Sequence, residues 1–257
     1  MKDFSHQSYR ALLDALKRSG FAFRRFDDAP VPAEEAGARH VILRHDVDRL
    51  PARSLAIARL EADAGAVASY FFRTMPCSFD GRVIREIRAL GHEIGYHYED
   101  LAEAGGDAAL AWASFRRNLA RFEPFGGVSS IAMHGRPLSP HDSRDLWNSH
   151  DYREAGVARE VYADIDWRKY YYFTDVGRSW NSAANLRDCP PDYSPHLGQA
   201  KIAGTAALID FVAGSDRDLI ISTHPERWAG SFAGQCQVLA TDGATNLVKR
   251  ALKVVRG

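Results

Sequence analysis

The sequence predicts an α/β protein, an irregular (β/α) barrel of about seven strands. Short apolar runs rich in β-branched and aromatic residues alternate with helical patterns between residues 41 and 223. They recur every roughly 25 to 35 residues, as parallel strands with crossover helices require. Polar and ionisable residues directly follow most of these runs, as they do at the C-terminal face of such barrels. A chain of 257 residues, 46% of them hydrophobic, can fill one barrel core.

Composition and charge argue against several classes of protein. Lys plus Arg and Asp plus Glu are both 33, so the net charge gives no electrostatic case for binding nucleic acid or an anionic membrane. No stretch approaches the ~20 apolar residues of a membrane span, and residues 1–10 lack the apolar core of a signal peptide. The three cysteines lie far apart without a CxxC pair, which indicates neither a disulfide framework nor a thiolate zinc site. We expect a cytoplasmic protein without a membrane span.

The N-terminal segment predicts a short helical extension over about residues 1–38 within a single domain of residues 1–257. Residues 9–19 carry leucines at helical spacing, and Gly20 follows as a C-cap signal. Residues 21–23 predict a short strand, and residues 27–37 a loop.

Strand–helix units follow this extension. Strands are predicted over residues 41–48, 67–72, 92–97 and 128–133, and helices over residues 53–64, 81–90 and 107–122. After His134 the rhythm blurs into long loops with short strands. Later elements are predicted over residues 157–164 and 170–174 (strands), 205–213 (helix), 218–223 (strand) and 246–255 (closing helix).

The strand over residues 41–48 ends in a cluster of ionisable side chains. Residues 44–48 read Arg-His-Asp-Val-Asp. Two carboxylates two positions apart suit a metal ligand beside a general base. The alternative is a helix cap with a surface ion pair to Arg44 or Arg49.

The other strand ends supply groups of the same kind. The polar residues at these ends are His45, Asp46, Asp48, Arg73, His97, Glu99, Asp100, His134, Asp175 and His224. A single residue of this kind, such as a histidine after a strand, is more often a cap or a satisfied surface group. Because the carboxyl ends of barrel strands converge on one face, their coincidence favours a metal-dependent site. Imidazole and carboxylate suit Zn²⁺ or a similar divalent ion, which polarises a carbonyl and activates water. A carboxylate outside the metal's ligands would take the water's proton, and His224 would protonate the leaving group.

Aromatic and cationic residues near these ends allow two interpretations each. Trp228 either packs on the barrel rim or, together with Trp180, stacks on a sugar ring through its apolar face. Arg73 and Arg136 either clamp an anionic substrate, such as a uronate or a nucleotide diphosphate, or form an ion pair with a rim carboxylate such as Asp46.

Residues 43–48 read Leu-Arg-His-Asp-Val-Asp, and residues 91–97 read Gly-His-Glu-Ile-Gly-Tyr-His. These two motifs resemble those of the polysaccharide deacetylases with a NodB-homology domain, carbohydrate esterase family 4. The apolar strand that ends in His224 is similar to the family's last motif, and the order of elements matches from residue 40 to residue 230. The resemblance implies an irregular, incomplete (β/α) barrel that removes N- or O-acetyl groups from sugars with a divalent metal.

The resemblance also implies a role for each matching residue. Asp46 aligns with the catalytic base, and His224 aligns with the general acid. His97 aligns with the first metal-binding histidine of the second motif. Val47 stands where the family has its metal-binding aspartate, so that role is expected to fall to Asp48.

The family's second metal-binding histidine falls at Leu101, which cannot ligate a metal. We expect a replacement ligand in the order His134, Glu99, Asp100. His134 comes from the neighbouring strand end. Glu99 is two residues from His97 and would share its face on a continuing strand, whereas Asp100 would point away.

The remaining assignments concern substrate. Residues 134–137 stand where the family has its Arg-x-Pro-Tyr wall, which makes substrate contact an alternative role for His134. Asp175 is the best candidate for the aspartate that orients the family's base. The predicted substrate-binding residues are Arg73, Arg136, Asp175, Arg178, Trp180 and Trp228.

From these patterns we expect a metal-dependent hydrolase, with Zn²⁺ the favoured ion, that removes an N-acetyl or O-acetyl group from a sugar. Its substrate would be an acetamido sugar, nucleotide-linked or lipid-linked, used in the biosynthesis of a surface polysaccharide of the O-antigen or lipopolysaccharide type. Two alternatives stay open. One is an amide or ester hydrolase of the deformylase or cyclic amidase type, and the other is an inactive barrel that only binds a glycan.

Overall fold

A computed structural model describes residues 3–28, 37–136, 139–176, 179–180, 202–231 and 234. It shows an α/β fold. The strands are β1 (Phe21–Arg24), β2 (Arg39–Val47), β3 (Ser69–Phe72), β4 (Glu93–Tyr98), β5 (Ser130–Met133), β6 (Arg159–Glu160), β7 (Tyr170–Thr174) and β8 (Asp218–Thr223). The helices are α1 (His6–Arg18), α2 (Pro51–Asp63), α3 (Gly81–Ala89), α4 (Asp100–Glu103), α5 (Ala108–Ala120) and α6 (Thr205–Gly214).

The strands form one curled, parallel sheet with the order β6-β5-β4-β3-β2-β8-β7. From β2 to β6, each strand pairs with the next strand along the chain. On the other side of β2 lies β8, which also pairs with β7. Among the described residues no pairing joins β6 to β7, so the seven strands form a half-barrel that is open there. The short β1 pairs with the first half of β2, outside this path. The predicted α/β class and barrel-like sheet are therefore confirmed.

Strand β2 lies inside the sheet, and every residue from His40 to Val47 is buried. It pairs with β3 on one side and with β8 on the other. A continuous apolar run such as residues 41–43 suits a strand with both faces covered. The carboxyl end of β2 therefore has neighbouring strand ends on both sides, at the edge where the polar residues collect.

The N-terminal segment is part of the same core. Helix α1 begins with a capping box in which Ser5 and Ser8 satisfy each other's backbone N–H groups. Tyr9, Leu12 and Leu16 lie at helical spacing and are fully buried. They belong to the hydrophobic cluster that also contains the barrel strands. The segment predicted as an extension thus packs against the barrel.

A buried polar cluster joins α1 and α2 to β2 on the outer face of the sheet. The Glu61 carboxylate accepts hydrogen bonds from Tyr9 and Tyr70, both at 2.5 Å. Nε2 of His45 lies 2.7 Å from Glu61 Oε1, so the buried charge has partners. Because side chains alternate along a strand, His45 faces this cluster while Asp46 faces the barrel interior. His45 therefore has a structural role.

One glycine of the motif over residues 91–97 has a packing role. A β-carbon at Gly95 would lie 2.4 Å from the Phe71 ring and 2.9 Å from the Ser130 carbonyl oxygen. The strand can therefore approach its neighbours only without a side chain at this position.

Some predicted elements differ from the structure. The strand predicted over residues 157–164 is reduced to Arg159–Glu160. The closing helix predicted over residues 246–255 lies outside the described residues. Among the described helices, none is long and apolar enough to cross a membrane.

Candidate active site

Four ionisable side chains meet at the carboxyl ends of β2, β4, β5 and β8. Nε2 of His97 lies 3.6 Å from Oδ1 of Asp48, and Nε2 of His134 lies 3.5 Å from the same oxygen. Nε2 of His224 lies 4.0 Å from Oδ2 of Asp48. Three imidazoles therefore surround one carboxylate, as the convergence of parallel strand ends predicts.

Asp48, His97 and His134 each offer one ligand atom, and the three atoms lie within 4.8 Å of one another. The nitrogen–oxygen separations exceed the roughly 2.7–3.2 Å of a hydrogen bond. Oδ1 of Asp48 is buried and has no hydrogen-bond partner in the described part of the chain. A buried carboxylate oxygen without a partner is costly, and a cation placed between these atoms would satisfy it.

Both candidate histidine ligands are oriented by their other ring nitrogen. Nδ1 of His97 lies 2.9 Å from the carbonyl oxygen of Ala132, and Nδ1 of His134 lies 3.0 Å from Oε2 of Glu99. A carbonyl and a carboxylate only accept hydrogen bonds, so Nδ1 carries the proton in both rings. The Nε2 atom of each ring then faces Asp48. This is the usual arrangement of metal-ligating histidines, in which one ring nitrogen points to the metal and the other donates a hydrogen bond.

The charges in the site suit cation binding. Burial lowers the pKa of His97 to about 4, which leaves a neutral imidazole at neutral pH. Burial alone would raise the pKa of Asp48, but the surrounding histidines outweigh it and hold this pKa well below its usual range. The site therefore presents one carboxylate and a neutral imidazole in the protonation states that bind metals.

Asp46 lies beside the three ligand atoms, with Oδ2 3.7 Å from Nε2 of His97. Unlike Asp48, it has both oxygens occupied. Arg44 donates from Nε to Oδ1 at 2.8 Å and from Nη2 to Oδ2 at 2.9 Å. Burial would raise the pKa of Asp46, but the charge and hydrogen bonds of Arg44, together with His97 and His224, outweigh it and lower this pKa. Asp46 is thus an ionised carboxylate in the position predicted for a base.

His224 is oriented by Asp175. Nδ1 of His224 lies 2.7 Å from Oδ1 of Asp175, and the His224 backbone N–H donates to Oδ2 at 3.1 Å. Burial and Arg227 act to lower the pKa of His224, but the Asp175 and Asp48 carboxylates outweigh them and raise it to about 9. The imidazole is therefore protonated at neutral pH, with Nε2 directed at the site.

The structure corrects the predicted role of Asp175. Its carboxylate is fully buried and contacts His224, so it neither orients Asp46 nor reaches a substrate. Arg44 orients Asp46 instead. Sequence reasoning considered Arg44 only as a surface ion-pair partner, although its spacing of two residues from Asp46 on a strand places both on one face.

The sugar-stacking prediction for Trp228 and Trp180 is wrong. The two side chains are 0% and 3% exposed. Trp228 packs against Phe4 and Tyr9 at centroid distances of 5.2 and 5.1 Å, and its indole N–H donates to Asp175 at 2.9 Å. The rings lie within the core because residues of the N-terminal segment cover them.

The two predicted arginine clamps differ. Arg73 is 17% exposed in its side chain and donates to Glu99 at 2.7 Å, so the structure supports the ion-pair alternative, with Glu99 in place of Asp46. Arg136 is 41% exposed, with its guanidinium 3.6 and 3.8 Å from Glu99 and Glu103. Arg136 thus stays at the rim, where its predicted role in substrate binding is untested. Arg178 lies outside the described residues.

The two acidic alternatives to His134 are not placed as ligands. Asp100 is buried and accepts hydrogen bonds from Tyr96 at 2.7 Å and from Asn118 at 2.8 Å, because the chain turns into α4 there. Glu99 contacts Nδ1 of His134 and is its partner. The geometry therefore agrees with His134 as the first choice of replacement ligand.

No family model and no curated protein matches the chain. The resemblance to the polysaccharide deacetylases accordingly depends on the two motifs, the strand that ends in His224 and the barrel-like sheet.

Proposed function

We propose that the chain is a metal-dependent hydrolase that removes an N-acetyl or O-acetyl group from a sugar. The observation that carries the proposal is the group formed by Asp48, His97 and His134, whose ligand atoms lie within 4.8 Å of one another. Oδ1 of Asp48 is buried there without a hydrogen-bond partner among the described residues. The motifs over residues 43–48 and 91–97 support the choice of reaction and a NodB-type barrel.

The donor set fits a zinc ion. One carboxylate and two imidazoles are ligands that Zn²⁺ accepts, and catalytic zinc sites have three protein ligands and one open position. A divalent ion bound there supplies a Lewis acid for the acyl carbonyl and lowers the pKa of water. Leu101, which replaces the family's second histidine, does not leave the set incomplete, because His134 takes its place.

Asp46 and His224 would supply the proton transfers. Asp46 is ionised and held by Arg44, so it can accept the proton of the water that attacks the acyl carbon. His224 is protonated and would donate its Nε2 proton to the sugar nitrogen or oxygen as the bond to the acyl carbon breaks. The products are acetate and the free amine or hydroxyl.

The substrate of this proposal is an acetamido sugar linked to a nucleotide or a lipid, used in the cytoplasm to build a surface polysaccharide. Arg136, exposed at the rim, would contact a negatively charged part of such a substrate. An amide or ester hydrolase with another acyl group would use the same side chains, so the acyl group must be determined by assay.

A panel of N-acetyl and O-acetyl sugars, free and nucleotide-linked, tests the proposal, with formyl and cyclic amides as comparison substrates. We expect acetate release that stops after chelation and returns with Zn²⁺. Release of another acid would favour the other amide or ester hydrolase. Sugar binding without any hydrolysis by metal-loaded protein would favour the binding-only barrel.

A further inference from the structure

We propose that Glu99 and Arg73 form a supporting pair that fixes His134 as a metal ligand. The inference rests on the proposed function only in assuming that a divalent cation binds at Asp48. It concerns the positioning of a ligand and not the reaction, so it applies whichever acyl group is removed.

Each oxygen of the Glu99 carboxylate has one close partner, and Arg136 lies further away, 3.6 Å from Oε2. Oε2 lies 3.0 Å from Nδ1 of His134, whereas Oε1 accepts from Arg73 at 2.7 Å from Nε and 2.5 Å from Nη2. The ion pair with Arg73 holds the carboxylate in place, so that its other oxygen faces the His134 ring.

Strand pairing brings these two residues together. Tyr98 and Met133 are the last paired positions of β4 and β5. Glu99 directly follows Tyr98, and His134 directly follows Met133. The backbone N–H of His134 donates to the carbonyl of Tyr98 at 2.8 Å, which continues the ladder by one bond. The ligand and its acceptor are thus fixed relative to each other by the sheet.

The two candidate histidine ligands differ in their support. His97 is 2% exposed and faces a neutral acceptor, the carbonyl of Ala132. His134 is 16% exposed and faces the charged Glu99. A charged acceptor gives a stronger hydrogen bond and a more basic imidazole. We infer that His134 binds the cation well only when Glu99 holds its ring in place. Glu99 in turn depends on Arg73 for its own position.

The test is Zn²⁺ affinity, measured by chelator competition on metal-free protein that is then titrated. Glu99→Ala should weaken binding about 10- to 100-fold. Glu99→Gln keeps the shape of the side chain and one acceptor oxygen, so its loss of Zn²⁺ affinity should be smaller. Arg73→Met should also weaken Zn²⁺ binding. Glu103→Gln, the same exchange on the exposed side of α4, should bind as the wild type does.

Two further readouts separate positioning from a general structural effect. The visible spectrum of bound Co²⁺ should change in Glu99→Gln and stay unchanged in Glu103→Gln. Glu99→Ala combined with His134→Ala should bind no more weakly than His134→Ala alone, because Glu99 acts through His134. If Glu99→Ala does not fold, the Gln variant provides the same comparison.

Wild-type affinity and spectrum in the Glu99 variants, or losses that add in the double variant, would overturn the inference. A wild-type protein that binds no Zn²⁺ would overturn it as well. A protein that shows the expected affinities but releases no acetate would refute the proposed function and leave this inference standing.

Discussion

Arg44 and Asp46 form a buried two-point ion pair within a single strand, with donor–acceptor distances of 2.8 and 2.9 Å. They lie two residues apart on β2 and therefore share its interior face. The pair keeps Asp46 ionised and fixes the plane of its carboxylate. Asp48, two residues further on, has no such partner for Oδ1 within the part of the chain that the structure describes. This difference distinguishes the proposed base from the proposed metal ligand.

Asp46→Asn should retain the metal and lose turnover. An amide cannot accept the proton of the attacking water, and removal of a general base typically costs about 10²–10⁴ in rate. Metal content and acetate release are measured on the same preparation. Loss of the metal together with activity would instead identify Asp46 as a ligand.

Asp175→Asn should lower the pKa of His224. The Asp175 carboxylate is a principal group that raises this pKa to about 9, against the effects of burial and Arg227. NMR titration of the imidazole in metal-free protein measures the change, with the surface variant Asp166→Asn as the control. An unchanged pKa in Asp175→Asn would contradict the proposed basis for His224 as an acid.

Glu93 should make the protein less stable as the pH rises. Burial, followed by the charge of Asp27, raises the pKa of Glu93 to about 7 from its ordinary value of 4.5. Between these two values the unfolded state loses a proton that the folded state keeps, so the free energy of unfolding falls as pH increases. Below and above this window Glu93 contributes no further change.

Urea unfolding at about pH 5 and about pH 8, on the two sides of this window, compares the wild type with Glu93→Gln. The wild type should lose stability relative to the variant between the two conditions. If the wild type and Glu93→Gln differ in stability by the same amount at both pH values, Glu93 is already ionised in the folded protein at about pH 5.

Trp228→Phe should reduce stability without changing sugar affinity. The substitution removes the buried hydrogen bond to Asp175 and part of the packing against Phe4 and Tyr9. Loss of a buried hydrogen-bond partner costs about 1–3 kcal/mol. Thermal unfolding and equilibrium binding of a substrate sugar measure the two effects. Reduced sugar affinity with unchanged stability would restore the stacking role that the structure contradicts.

The sequence was informative where local pattern determines structure. Apolar runs and glycine-ended helices predicted the order of strands and helices, and the residue that follows each strand predicted which side chains meet. Asp48, His97, His134 and His224 were placed together for this reason, since parallel strand ends share one edge. The same pattern ranked His134 first among replacements for the histidine missing at Leu101.

What the sequence did not predict depends on contacts between distant segments. Trp228 is buried by Phe4 and Tyr9, more than 200 residues earlier in the chain, and no local signal indicates that cover. The sequence predicts that Asp175 orients the base, whereas in the structure it contacts His224. The pairing of β7 with β8 brings these two residues together, and no local pattern indicates that pairing.

Metal stoichiometry shows directly whether Asp48, His97 and His134 bind a divalent cation. Protein stripped with a chelator, reloaded with Zn²⁺ and freed of excess metal should contain about one ion per chain. The double variant Asp48→Ala/His97→Ala, shown to be folded by circular dichroism, should contain none. A double variant that retains the wild-type stoichiometry would contradict the account.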